Sequence, residues 1–204
     1  MKDQSQSSSS PAPLSAVAPQ GESLKTNAVA ALIAAACPEA DYQGQRVLLI
    51  VPDNTRTAPI GTIFRTLHDH IGRITEAFDV LIALGTHPPM TEEAIRRRLE
   101  ISEEERRDRY ARVRLFNHEW DNPAALERIG EIPAVEISEL SSGLFAMDVP
   151  VEINKRVFDY DRIIIAGPVF PHEVVGFSGG NKYLFPGVAG PELLNFFHWL
   201  GAVI

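Results

Sequence analysis

Arg162-Ile163-Ile164-Ile165-Ala166-Gly167 runs almost directly into Val169-Phe170-Pro171-His172, and the chain continues through Gly176-Phe177-Ser178-Gly179-Gly180-Asn181-Lys182 to Pro186-Gly187-Val188-Ala189-Gly190. A short β-branched apolar run followed by glycines, a lysine and a histidine reads as a buried strand that feeds a ligand loop. Gly179 and Gly180 permit close backbone approach or positive φ. Lys182 beside them offers a positive charge or a nucleophilic amine. His172 stands ten positions before Lys182, and His198 sixteen after it. The stretch reads as a cofactor-holding loop with an imidazole on each flank.

Two earlier runs match the first in character. Arg46-Val47-Leu48-Leu49-Ile50-Val51 and Asp79-Val80-Leu81-Ile82-Ala83-Leu84 are short and apolar, as strands buried on both faces must be. Between them, Ile60, Ile63, Phe64 and Leu67 mark one face of a helix from Pro59 to Ile71. Thr91-Glu92-Glu93-Ala94 is a helix start, with a hydroxyl cap and acids at the positive helix end. Helices are also expected from Ser23, as cap, to Ala36, and from Pro191 to Leu200. Glu100–Arg112 reads as a charged, solvated helical stretch and Arg112–Phe116 as an edge strand. Ala134–Ser138 and Leu144–Met147 read as further strands, paired around Ser141-Ser142-Gly143, and Val151–Phe158 as a short helix. Buried strands alternating with amphipathic helices give an α/β class: an open, mainly parallel sheet with helices on both faces, Rossmann-like. Residues 1–23, rich in Ser, Pro and Gln, are expected to be a disordered tail, and residues 24–204 the folded domain.

Among its 204 residues the chain is 45% hydrophobic and 23% charged, with a net charge of −8. Such a balance disfavours nucleic acid and anionic membranes as partners, since both reward clustered Lys and Arg. The one cysteine, Cys37, cannot form an internal disulfide and reads as a small buried hydrophobe. No apolar run is long enough to span a membrane, and the start lacks a secretory pattern, so a cytoplasmic protein is expected.

Polar groups follow each of the three buried runs. In open parallel sheets, ligands bind beyond the carboxyl ends of the strands, so these groups should converge. Asp53 reads either as a local cap paired with Arg56 or as part of a site in which Arg56 presents its fork to a carboxylate or phosphate. His87, before Pro88-Pro89, and His172, after Pro171, each read either as a structural group or, from its place beyond a strand end in a stiff segment, as a functional one. Lys182 is either a solvated surface lysine or a ligand-holding group. The loop is not a P-loop, and no Gly-x-Gly-x-x-Gly is present. His198, in Phe196-Phe197-His198-Trp199, is either a satisfied core group or a metal ligand. His68, His70 and His118 read as structural or surface groups.

Taken together, Asp53-x-Thr55-Arg56, Gly85-Thr86-His87, Pro171-His172-x-x-x-Gly176-Phe177-Ser178-Gly179-Gly180-x-Lys182, Pro186-Gly187-x-x-Gly190 and His198-Trp199 resemble the N-terminal domain of the nickel-pincer lactate racemase family. The resemblance runs from about Val47 to Ile204. It implies a racemase or epimerase of a small 2-hydroxy acid. Hydride would pass from C2 to a nickel-pincer nucleotide, a pyridinium mononucleotide with thioamide and thiocarboxylate sulfur ligands to Ni. Lys182 would carry the thioamide link and His198 would ligate nickel, with imidazole a suitable donor for Ni(II). His87 and His172 would be the two acid/base groups and Arg56 the substrate-binding group. Asp53, Thr55, Ser178, Gly179 and Gly180 would help to hold the cofactor. The family also has a C-terminal domain, absent from this sequence, and activity is expected to need it in cis or from a partner chain. The alternatives are a catalytically silent cofactor module and a metal-free phosphate- or nucleotide-binding domain.

Overall fold

The computed structural model describes residues 13–172 and 176–203. Residues 13–25 form no helix or strand, and residues 1–12 of the expected tail lie outside the described part. The element order is α1 (Thr26–Ala36), β1 (Arg46–Pro52), α2 (Ile60–His70), β2 (Ala77–Ala83), α3 (Glu92–Arg98), α4 (Glu103–Arg107), β3 (Leu115–Asn117), β4 (Leu126–Ile132), α5 (Ala134–Leu140), β5 (Val149–Asn154), β6 (Arg162–Ile165), β7 (Pro171–His172), β8 (Gly176–Phe177) and α6 (Pro191–Val203). The main sheet is parallel, in the order β3-β2-β1-β6.

Alternation along β1 divides the core. Val47, Leu49 and Val51 face α2 and its neighbours, packing with Ile60, Phe64, Leu67, Val80, Ile82 and Leu99. Leu48 and Ile50 face the other way, onto Leu81, Ile153, Val157, Tyr183 and Val188. The second face is covered by 3-10 turns at Lys155–Asp159 and Gly180–Tyr183, so the loop that carries Lys182 is itself packed on the sheet. The fold is α/β with a mainly parallel sheet, as the strand–helix alternation implies. Among the described residues no helix is long and apolar enough to cross a membrane.

Several local expectations give way. Ser23 does not cap α1; Lys25 holds that position without a side-chain bond. Ala134–Ser138 is helical: the Asp148 side chain accepts a hydrogen bond from the Ala134 N–H, and only Ile137 of α5 is buried, with Val135 65% exposed. Leu144–Met147 forms no strand. The antiparallel partner of β5 is β4, with Leu126 opposite Asn154 and Ile132 opposite Val149, and β5 occupies part of the stretch expected to be helical. β6 is an edge strand with Arg162 and Ile163 exposed, because only β1 pairs with it among the described residues. In the Glu100–Arg112 stretch, α4 is short with Glu103, Glu104 and Arg107 exposed, while Tyr110 is fully buried against Phe64, so the segment has a solvated face and also covers the core.

At the amino ends of the strands, charged groups fasten the sheet. The buried Asp79 accepts from Arg114 N, Nε and Nη2 and from the Tyr160 hydroxyl at 2.6, 2.9, 2.7 and 2.8 Å. Asp161 accepts from Arg46 at 2.8 Å and 2.9 Å. Glu105 closes a capping box with Ser102 and bonds Arg65 at 2.6 Å. The Arg46 hydrogen bonds hold the Asp161 carboxyl at about 2, below 3.8, and the Arg65 bond holds Glu105 at about 2, below 4.5. Since both folded values lie below the unfolded ones, the unfolded chain takes up protons first. Stability is therefore expected to be full above about pH 4.5 and to fall as pH drops toward 2. Urea unfolding between pH 2 and 6 measures this, and Arg46→Ala is expected to flatten the acid limb.

Candidate active site

The chain goes from β1 to β2 to β3 in one direction, then returns to the other side of β1 at β6. This reversal opens a crevice at the carboxyl ends of β1 and β6, the place where open α/β sheets hold ligands. A cleft of about 150 Å³ lies there. Its wall includes Asp53, Thr55 and Arg56 from the loop after β1, Gly85, Thr86 and His87 from the loop after β2, Ser178, Gly179 and Lys182 from the loop after β8, and His198 from α6.

Asp53 and His87 form the centre. Asp53 Oδ2 lies 2.6 Å from His87 Nδ1, and its other oxygen accepts from Thr55 N and Oγ1 at 3.1 and 2.6 Å. The Asp53 side chain is 10% exposed and that of His87 52%. Burial works against ionisation of Asp53, but the bonds from Thr55 and His87 outweigh it, so its carboxyl sits below the ordinary value. An ionised carboxylate only accepts hydrogen bonds, so His87 carries its proton on Nδ1. In the neutral ring this tautomer puts the lone pair on Nε2, the arrangement a general base needs. The local alternative, in which Asp53 pairs with Arg56, is not what forms. Arg56 instead lies with its guanidinium carbon 5.6 Å from the centre of the Phe170 ring.

The Lys182 turn is held from several sides. Lys182 N donates to Gly179 O and Gly187 N donates to Lys182 O, both at 3.0 Å. Gly179 has φ +81° and lies so close to Pro168 that a Cβ would sit 2.5 Å from its carbonyl oxygen, so this position requires glycine. Gly85 N donates to Gly187 O at 2.9 Å, which ties the His87 loop to the Lys182 loop. The buried Tyr183 lies beneath, with its phenol pushed up by burial. The buried His118 shares Ala189 O at 2.9 Å and Asn154 Nδ2 at 3.1 Å, anchoring the segment that leads into α6 and His198. Burial lowers the pKa of His118, which suits this neutral structural part.

Not every expected residue reaches the cleft wall. His172, on β7, pairs across a two-residue ladder with Gly176 and is not among the lining residues. Gly180 starts the 3-10 turn, is exposed, and does not line the cleft. Ser178 does line it, but its hydroxyl is engaged with Phe170 N and O, both at 3.2 Å. Residues 173–175, inside the quoted motif, lie outside the described residues. Sequence reasoning passed over Tyr183, which lines the cleft and directly follows Lys182.

The sequence model of the lactate racemase N-terminal domain matches residues 7–203. The chain belongs to this family. As a lactate racemase N-terminal domain it is 27% identical over 152 residues to the lactate racemase of Thermoanaerobacterium thermosaccharolyticum, a match covering 74% of this chain and 31% of that protein. The chain thus spans about a third of the length of the curated relative. A crystal structure of a Thermotoga maritima protein is similar at 32% identity and a TM-score of 0.78, over 88% of this chain and 42% of that one. The lactate racemase apoprotein from T. thermosaccharolyticum is similar at 25% identity and a TM-score of 0.55, over 74% of this chain and 33% of that one. Within this family domain, the described residues contain no group of three or more His, Cys, Asp or Glu placed to hold a metal ion.

Proposed function

We propose that this domain is the cofactor-holding part of a cytoplasmic racemase or epimerase of a small 2-hydroxy acid. The observation that carries the reading is the Asp53–His87 pair in one cleft wall with Arg56, Lys182 and His198. That wall also carries the Lys182 amine and the exposed His198 imidazole, a donor set suited to a nickel-pincer nucleotide that supplies its own sulfur and carbon ligands. Lys182 would hold this group covalently and His198 would complete its nickel coordination. Such a group, when bound, would supply a reversible hydride acceptor for the C2 hydrogen of the substrate.

The chain's own residues have separate tasks. Arg56 offers a planar fork to the substrate carboxylate. Asp53 keeps the His87 proton on Nδ1, and His87 Nε2 takes the substrate hydroxyl proton. Loss of that proton and of hydride from C2 leaves a flat 2-keto acid, which can be reduced from either face. His172, which stands on β7 outside the cleft wall of this domain, would serve the opposite face. The cleft of about 150 Å³ is smaller than the usual ligand pocket, which agrees with a wall completed by the family's second domain.

The test is production with that second domain and with the cofactor-making enzymes, followed by chiral chromatography of lactate and larger 2-hydroxy acids. Inversion at C2 is expected. Nickel-loaded protein that inverts none of them would reject the reading, and protein with neither nickel nor an adduct on Lys182 would favour a metal-free anion site.

A further inference from the structure

We propose that Arg98 is a positioning residue, which sets the Asp53–His87 pair and Arg56 by holding the loop after β1; its bearing on catalysis rests on the reading above. Arg98 is the last residue of α3 and is not in the cleft wall. Its Nε donates to Pro52 O at 3.2 Å and its Nη2 to Arg56 O at 2.8 Å. These two carbonyls bracket the segment that carries Asp53, Thr55 and Arg56. Among the described residues, no backbone hydrogen bond ties positions 53–57 to another element. The Asp53–Thr55 bonds are internal to the loop. Two further contacts of the loop, His87 on Asp53 and Phe170 on Arg56, are themselves parts of the site. Arg98 thus tethers the loop from outside the cleft wall.

The geometry suits arginine and no other side chain. A rigid fork reaches two carbonyls four residues apart in sequence, whereas a lysine ammonium acts as a point donor. Burial works against the Arg98 charge, and the neighbouring Asp53 carboxylate supports it. The same guanidinium therefore fixes the loop and lies in the field of the carboxylate that it positions. Without it, Pro52 O and Arg56 O lose their donors, and the loop can move Asp53 off His87 Nδ1.

The experiment compares Arg98→Met, which keeps the apolar stem, with Arg98→Lys, each as the full chain. In histidine-labelled protein the His87 Nδ1 proton, bonded to a carboxylate, should give a low-field resonance, assigned by its loss in His87→Ala. That resonance is expected to disappear in Arg98→Met and to persist, weakened, in Arg98→Lys. In the cofactor-loaded enzyme, Arg98→Met should lower kcat/KM about 10- to 100-fold, with kcat down, KM up and nickel content unchanged. Arg98→Lys should recover part of the loss. An intact resonance in Arg98→Met overturns the proposal, including when the melting temperature falls, because Arg98 would then be structural only. If Arg98→Met does not fold, Arg98→Lys decides, and a wild-type resonance there overturns the proposal. If the wild type proves inactive, the racemase reading fails while the resonance still decides the role of Arg98.

Discussion

Lys182→Ala, produced beside the cofactor-making enzymes, is expected to retain less than about a tenth of the nickel held by the wild-type chain after gel filtration, and no adduct mass at this position. A first ligand or covalent link should cost at least as much as the 10- to 100-fold typical of residues one layer further out. The substitution is mild for the fold. The turn from Gly180 to Tyr183 is built from backbone bonds, Lys182 N to Gly179 O and Gly187 N to Lys182 O, which an alanine keeps. His198→Ala separates the two proposed tasks. His198 is exposed on α6, and its loss should leave the adduct on Lys182 intact while nickel retention falls about tenfold or more. Metal analysis together with intact-protein mass spectrometry distinguishes the cases. Unchanged nickel in both variants would remove Lys182 and His198 from the site.

The second large effect is expected at Asp53. Asp53→Asn should lower the rate of C2 inversion by about 10²- to 10⁴-fold, the contribution of one positioned proton-transfer group. The volume is conserved, and the asparagine oxygen can still accept from Thr55 N and Oγ1. What changes is the second atom. An amide NH₂ facing His87 Nδ1 is a donor, so the ring proton moves to Nε2 and the base is lost. His87→Ala should cost a similar factor. The double variant should be little worse than either single one, because the two residues act as a unit. In the wild type the Asp53 carboxyl is held below its ordinary 3.8, so it stays ionised as pH falls until well into the acid range. Any loss of activity between pH 5 and 7 should therefore not come from Asp53. A rate within a factor of two of wild type in Asp53→Asn, at equal nickel content, would remove the dyad from the mechanism.

Much of this site was legible before the structure. Arg56 and His87 each follow a buried apolar run and Lys182 the apolar run of β6, and the rule that ligands sit beyond strand carboxyl ends brings them together without any contact being known. The Thr91 cap and the apolar face of α2 were equally plain, since both are local. The β4–β5 ribbon was not. β4 exposes most of its side chains, so it has no apolar alternation to read, while α5 has a Val135–Ile137 spacing that fits a strand as well as a helix. Nor was the partner of Asp53. Arg56 is near in sequence and His87 is 34 positions away, yet it is His87 that bonds the carboxylate.

What the amino-acid sequence determined by itself is the set of strands β1, β2 and β6, the helices α2 and α3, and which chemical groups stand at the strand ends. Periodicity and capping act within a few residues, so they can be read one segment at a time. Only the tertiary structure decided that Asp53 takes His87 and not Arg56, that Arg98 spans 46 positions to hold Pro52, that His118 reaches Ala189 across 71, and that β6 is an edge among the described residues. Those choices depend on which distant donors and acceptors arrive at hydrogen-bonding distance once the sheet has formed, and no local pattern of residues encodes that arrival.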